Sequence, residues 1–323
     1  MHMVLDGVDW KHAMARHKGR PDDGYIRQVL GIYRERGYTY LRDGGDKHGA
    51  SVRARELAGE YGICYRTPIA PISMAGHYGG FIGYQVADLR EYADLVKQFR
   101  RDGADFIKIM ISGLMDFDRF GVLSEPGLDP ETIREMIHIV HGEGLAVMAH
   151  ANGARVMEAA AAAGVDSIEH GAYADEDALR VMAENKVVWV PTLSTIGNLC
   201  HSEEQKATKN PQYPEREDGF LAELGMTPHP SFCFAKIHLL PREKALGREF
   251  GNDRKVGAAG QILESALRNV RAFVAMGGLV APGTDAGAYA VPHGCCTEEG
   301  YLRAAGVTQA QIDSGIKAIM ERF

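Results

Sequence analysis

The stretch Leu-Ala-Val-Met-Ala-His-Ala-Asn-Gly (145–153), followed by an alanine-rich run (153–163) and Asp-Ser-Ile-Glu-His-Gly (166–171), decides the fold. Two short apolar runs each end in a histidine, His150 and His170. Alanine has the highest helix propensity of any residue, so the segment between them reads as a helix. Strand, helix and strand within about 30 residues form the parallel βαβ unit. Its two strands point the same way, so both histidines emerge at one carboxyl edge, where parallel α/β folds carry their chemistry. A single histidine at a strand end is more often a packing or hydrogen-bonding residue. Two at equivalent positions make a candidate metal site, provided other strand ends supply further ligands.

The same rhythm extends in both directions. Apolar positions at helical spacing over 22–36 stop at Gly37, and a strand is expected at 38–41. A helix over 51–61 closes at Gly62 and leads into an extended run, 64–70, and a glycine-rich loop, 71–80. A helix at 85–101 precedes the strand Asp-Phe-Ile-Lys-Ile-Met-Ile-Ser (105–112), and a helix at 130–141 precedes the histidine strands. Beyond them come a helix (175–184), a strand (187–193), a long helix (256–276), a last strand (279–286) and an amphipathic helix (307–323).

Strict alternation of this kind over about 250 residues or more predicts an α/β fold of the (β/α)8 TIM-barrel type rather than an open doubly wound sheet. No glycine-rich dinucleotide fingerprint follows the early strands. An eighth strand would lie just before His2, so the first barrel strand is expected to be missing or incomplete. Residues 194–255 break the rhythm: they are polar, contain Pro211, Pro214, Pro228 and Pro230, and exceed any ordinary connection. They are expected to form an insertion over the active face of a single domain spanning 1–323.

With 323 residues, 45% of them hydrophobic and 24% charged, the chain has the composition of a soluble globular protein. A net charge of −7 argues against nucleic acid or an anionic membrane as a main partner and leaves a small molecule. The five cysteines (64, 200, 233, 295 and 296) are odd in number and lack framework spacing, so reduced thiols in a cytoplasmic protein are expected. No apolar run reaches about 18 residues, and the amino terminus lacks a signal-peptide pattern.

Lys108 lies in the middle of Phe-Ile-Lys-Ile-Met, an otherwise apolar strand. Burial disfavours its ammonium form. It either pairs with a buried acid such as Asp285 or stays neutral and takes up carbon dioxide as a carbamate, a carboxylate-like group able to bridge two cations. Asp285 follows Val-Ala-Pro-Gly-Thr at the last strand's end, where it caps a helix or ligates a metal and accepts a proton from activated water. Lys108, His150, His170 and Asp285 thus fall at the ends of four strands.

With these four motifs, Phe-Ile-Lys-Ile, Met-Ala-His-Ala, Ile-Glu-His-Gly and Pro-Gly-Thr-Asp-Ala-Gly, the chain resembles the amidohydrolase superfamily of metal-dependent hydrolases over nearly its whole length. The similarity is to the branch holding prolidase-like and imidazolonepropionase-related enzymes. The resemblance implies one or two divalent cations, usually zinc, bridged by carbamylated Lys108. It implies His150 and His170 as ligands, and Asp285 as ligand and proton shuttle. His2 matches the second histidine of the His-x-His pair that ends the first strand in that superfamily. The first histidine would precede Met1, and no counterpart of the usual flanking β-sandwich is expected. A barrel shortened in this way would expose the edges of strands two and eight and favour a homo-oligomer.

Among secondary candidates, His77 and Tyr78 in the 71–80 loop, and Tyr173 just after His170, are expected to touch substrate. Tyr289 and His293 read as solvated residues near the mouth, Arg42 and Asp43 as a mutually supporting pair, and His138 and His141 as surface residues. The expected function is hydrolysis of a C–N amide bond in a dipeptide, N-acyl amino acid or cyclic amide by a metal-activated hydroxide. The alternatives are an inactive or ligand-binding barrel with an incomplete metal site, and a metal-dependent decarboxylase or isomerase.

Overall fold

Side chains that alternate along short β-branched strands, with helices packed on one side, generate the architecture. A computed structural model describes residues 1–200 and 253–323. The strands among these residues are β1 (Tyr40–Arg42), β2 (Cys64–Arg66), β3 (Ile72–Met74), β4 (Tyr84–Val86), β5 (Ile107–Met110), β6 (Val147–Ala151), β7 (Ser167–His170), β8 (Val188–Val190) and β9 (Leu279–Val280). The helices that flank the first half of the sheet are α1 (Trp10–Arg16), α2 (Asp23–Glu35), α3 (Ala50–Ala58), α4 (Leu89–Arg101) and α5 (Pro130–Gly142). The rest are α6 (Ala154–Ala162), α7 (Glu176–Glu184), α8 (Leu193–Leu199), α9 (Asp253–Ala275), α10 (Glu298–Ala304) and α11 (Gln309–Arg322). Most of the expected insertion, 201–252, lies outside the described residues, as do His201, His229, His238 and Cys233.

All pairings between named strands are parallel. β1 and β2 form one two-stranded sheet, and the order β4-β3-β5-β6-β7-β8-β9 forms a second. The Asp105 amide donates to the Thr67 carbonyl at 3.0 Å, so the residue following β2 meets the segment that leads into β5. The sequence predicts only a loop over 71–80. Instead Ile72–Met74 and Tyr84–Val86 pair as β3 and β4, which adds two short strands to those expected.

Residue alternation sorts the core into two faces. Ile107, Ile109, Val147, Ala149, Ile168 and Trp189 pack outward against the helices. Phe106, Met148, Val188, Val190 and Ala281 point the other way, into an inner cluster closed off by Ile319 and Phe323. Helix starts are specified locally: Asp129 accepts from the Thr132 amide with Pro130 in the first turn of α5, and Thr308 with Gln311 forms a capping box on α11.

The chain start is clasped between two loops. The His2 amide donates to the Ala286 carbonyl, and the Gly44 amide donates to the Met1 carbonyl, each at 2.8 Å. Below this clasp a cavity of ≈ 590 Å³ lies between β1 and the segment after β9, reaching from Lys108, His170 and Asp285 down to Ile319 and Met320. His293 is buried rather than solvated. Its Nε2 donates to the Leu5 carbonyl at 2.8 Å, so Nδ1 accepts from the Tyr33 hydroxyl at 3.2 Å. Burial pushes His293 down to about 4, consistent with this neutral ring.

Among the described residues no helix is long and apolar enough to cross a membrane. Among the described residues Cys64 and Cys200 are free thiols.

Candidate active site

The strand register decides which side chains meet. Lys108 pairs with Met148, Met110 with His150, and His150 in turn with Glu169. In-register residues of parallel neighbours share a face, so Lys108, His150 and Glu169 all point inward. His170 does not sit at the position equivalent to His150; it pairs with Ala151, one residue further on. Strict alternation would send its ring outward. A left-handed backbone at His170 (φ 68°) breaks the alternation, and its ring turns to 4.7 Å from that of His150. Asp285, Tyr173 and Thr192 are also left-handed, with φ of 56°, 61° and 50°. Such conformations are costly for residues with a Cβ and gather where function over-determines the backbone.

His2 enters from the other end of the chain. Its Nε2 lies 3.3 Å from Lys108 Nζ and 3.6 Å from Asp285 Oδ1. Lys108 therefore does not form a simple ion pair with Asp285, although the two charges sense one another. His150 Nε2 donates to the Gly113 carbonyl at 3.1 Å, which Asn152 Nδ2 also reaches at 3.0 Å. His170 Nδ1 sits 2.8 Å from Thr192 Oγ1. Each of these two rings thus has one nitrogen anchored and the other left for a ligand.

Burial dominates the electrostatics. It holds His2 and His150 well below the usual imidazole range and His170 at about 3, with the Lys108 charge adding to the effect. Lys108 is itself pulled down by burial, and the Asp285 carboxyl is pushed up by it. The set consists of three neutral imidazoles, a carboxylate and an amine that burial drives toward neutrality. That donor chemistry fits a divalent cation. Among the described residues no three His, Cys, Asp or Glu side chains are already drawn close enough to grip one.

The surrounding residues sort differently from expectation. Arg42 and Asp43 do not pair with each other, because successive strand residues face opposite sides. Arg42 turns inward and donates to Ser167 Oγ and Glu169 Oε1, each at 2.8 Å. Asp43 accepts from the Met3 and Gly45 amides and the Tyr65 hydroxyl, and so fixes the loop beside His2. Tyr78 lies tilted against His150 with ring centroids 5.1 Å apart, while His77 is half-exposed and faces Glu125 at 3.5 Å. Tyr173 packs edge-on against Phe120 at 5.5 Å, with its hydroxyl buried. His138 is exposed, and His141 pairs with Asp166 at 3.0 Å. Gly44, Asn152, Glu169 and Thr192 escaped the sequence reading. Only the proximity of Asn152 and Glu169 to the histidine motifs hinted at them.

A parallel α/β frame that carries Lys108 within β5, His150 and His170 near the ends of β6 and β7, and Asp285 in the segment after β9 defines the class, and residues 34–319 match the amidohydrolase family, to which the chain belongs. Ochratoxinase of Aspergillus niger is 32% identical over 155 residues, which cover 45% of this chain and 29% of that protein. The chain thus aligns with less than a third of its curated relative. Among solved structures, a Xaa-Pro dipeptidase with methionine bound in its active site superposes with a TM-score of 0.63 at 20% identity, over 99% of this chain and 73% of that one. The Aspergillus niger ochratoxinase structure does so with a TM-score of 0.61 at 20% identity, over 98% and 67%. These neighbours share the TIM-barrel fold.

Proposed function

We propose that this protein hydrolyses the C–N amide bond of a small substrate, a dipeptide, N-acyl amino acid or cyclic amide, with the help of one or two divalent cations, zinc by preference. The observation that carries the reading is the convergence of His2, Lys108, His150, His170 and Asp285, with two of the five in strained left-handed backbone. Family membership and the names of the relatives, an ochratoxinase and a Xaa-Pro dipeptidase, support it.

His2, His150, His170 and Asp285 would hold the cations. Lys108, in its neutral form, would add to carbon dioxide and release a proton, giving a carbamate that bridges them. Cations held there supply Lewis-acid activation of the amide carbonyl and of water. Asp285 accepts the proton from the attacking water and delivers it to the departing amine. Tyr173, through its buried hydroxyl, donates to the substrate oxygen, and His77 contributes a polar contact at the mouth.

The test is elemental mass spectrometry on protein grown with zinc and bicarbonate, beside Lys108→Ala, followed by a dipeptide and N-acyl amino acid panel. About two metal ions per wild-type chain, falling sharply in the variant, with release of free amine from the panel, is the expected result. No metal and no hydrolysis would overturn the reading.

Gly44 offers a sharper structural check. A Cβ there would stand 2.3 Å from His2 Cε1 and 2.7 Å from Lys108 Nζ. Gly44→Ala is expected to lower kcat/KM about 100-fold by misplacing both groups, at an overpacking cost of only about 1–3 kcal/mol. Paired kinetics and urea melts separate the two effects, and unchanged kinetics would mean that His2 and Lys108 need not be where they lie here.

A further inference from the structure

The hydroxyl that anchors His170 belongs to a residue held against its own preference. Thr192 is 4% exposed and adopts φ 50°, ψ 43°, a region in which a β-branched side chain is a steric outlier. Glycine or asparagine would meet the same backbone demand at lower cost. What threonine adds is Oγ1, at 2.8 Å from His170 Nδ1. The strain is contained from the other side by Glu298. Its carboxylate accepts from the Leu193 amide at 2.9 Å, the Ser194 amide at 2.8 Å and Ser194 Oγ at 2.8 Å. Thr297 Oγ1 also donates to Ser194 Oγ at 2.9 Å. The two residues that follow Thr192 are thereby clamped by a distant part of the chain.

We propose that Thr192 is a positioning residue that keeps His170 in its Nδ1–H tautomer, with the Glu298 clamp holding Thr192 in place. A neutral imidazole carries one donor and one acceptor nitrogen. A hydroxyl can donate or accept across the 2.8 Å contact; in the proposed arrangement Oγ1 accepts the Nδ1 proton, and the lone pair of Nε2 is left for a cation. Without Oγ1, Nδ1 loses its anchor, and the proton is free to move to Nε2, where it blocks ligation. What His170 then ligates rests on the metal-dependent reading above, whereas the tautomer belongs to the protein alone.

The experiment compares wild type, Thr192→Val, Thr192→Gly and Thr192→Ser. Valine keeps the shape and removes the hydroxyl; glycine removes it while relieving the left-handed strain; serine retains it. One readout is the pair of His170 imidazole ¹⁵N shifts in metal-free protein, assigned by the signal lost in His170→Asn. The second is Zn²⁺ affinity by competition with a chromophoric chelator. Wild type and Thr192→Ser are expected to show Nδ1–H and to agree within about threefold in affinity, while the valine and glycine variants lose that tautomer and bind zinc about 10–100-fold more weakly. An unchanged tautomer in both hydroxyl-free variants overturns the proposal, whatever zinc does. If wild type ignores zinc but the tautomer shifts as stated, the positioning role stands and the metal reading falls.

Discussion

Asp285→Asn is expected to lower kcat for amide hydrolysis about 1,000-fold while leaving the protein as stable as before or slightly more so. Asparagine keeps the size of the side chain and one carbonyl oxygen, so the approach to His2 Nε2, 3.6 Å in the wild type, survives geometrically. It removes the negative charge and the ability to take a proton. Because burial pushes the Asp285 carboxyl up, the charged form is held in the fold at a cost, and the neutral amide relieves it. Loss of rate without loss of fold is therefore the signature of a group kept for chemistry. Steady-state release of free amine, read beside a thermal melt, checks both halves. A variant that retains more than a tenth of the wild-type kcat would remove Asp285 from proton transfer.

Arg42→Ala is expected to destabilise the fold by about 3–5 kcal/mol. The Arg42 and Glu169 side chains are only 8% and 5% exposed, so truncating the arginine strands a carboxylate deep inside the sheet. The guanidinium also fills space above the Phe323 ring, at 4.4 Å, and holds Ser167. Most of the loss comes from the uncompensated charge rather than from the pair's own attraction. The double variant Arg42→Leu with Glu169→Leu should therefore recover most of it. Urea unfolding midpoints of the single and double variants separate the two contributions. A loss below about 1 kcal/mol for Arg42→Ala would show that water reaches Glu169 and screens it, as at a surface pair.

Much of the fold was legible because it is written in local periodicity. The alanine run of α6, the glycine stops after α2 and α3, and the apolar strands around Lys108, His150 and His170 all lie within one or two turns of the residues that specify them. The places where the sequence reading went astray are those where partners are far apart along the chain. Arg42 and Asp43, neighbours in sequence, serve opposite faces, one bound to Glu169 and the other to Tyr65. His293, read as solvated, is buried against Leu5 at the opposite end of the chain. The β3–β4 pair was hidden because its strands are three residues each and rich in loop-forming neighbours.

The sequence by itself determined the class of the protein: a parallel α/β frame and a set of strand-end residues whose chemistry suits a cation. Periodicity and residue type are local properties, and they suffice for that. Only the tertiary structure decided how the set is assembled. The register places His170 one step beyond His150, and a left-handed backbone, not alternation, turns its ring inward. Gly44 leaves the space in which His2 meets Lys108, and Thr192 supplies the oxygen that orients His170. These are contacts between residues remote in sequence, set by packing over three dimensions, and no one-dimensional pattern encodes which of many compatible partners a buried polar group will find.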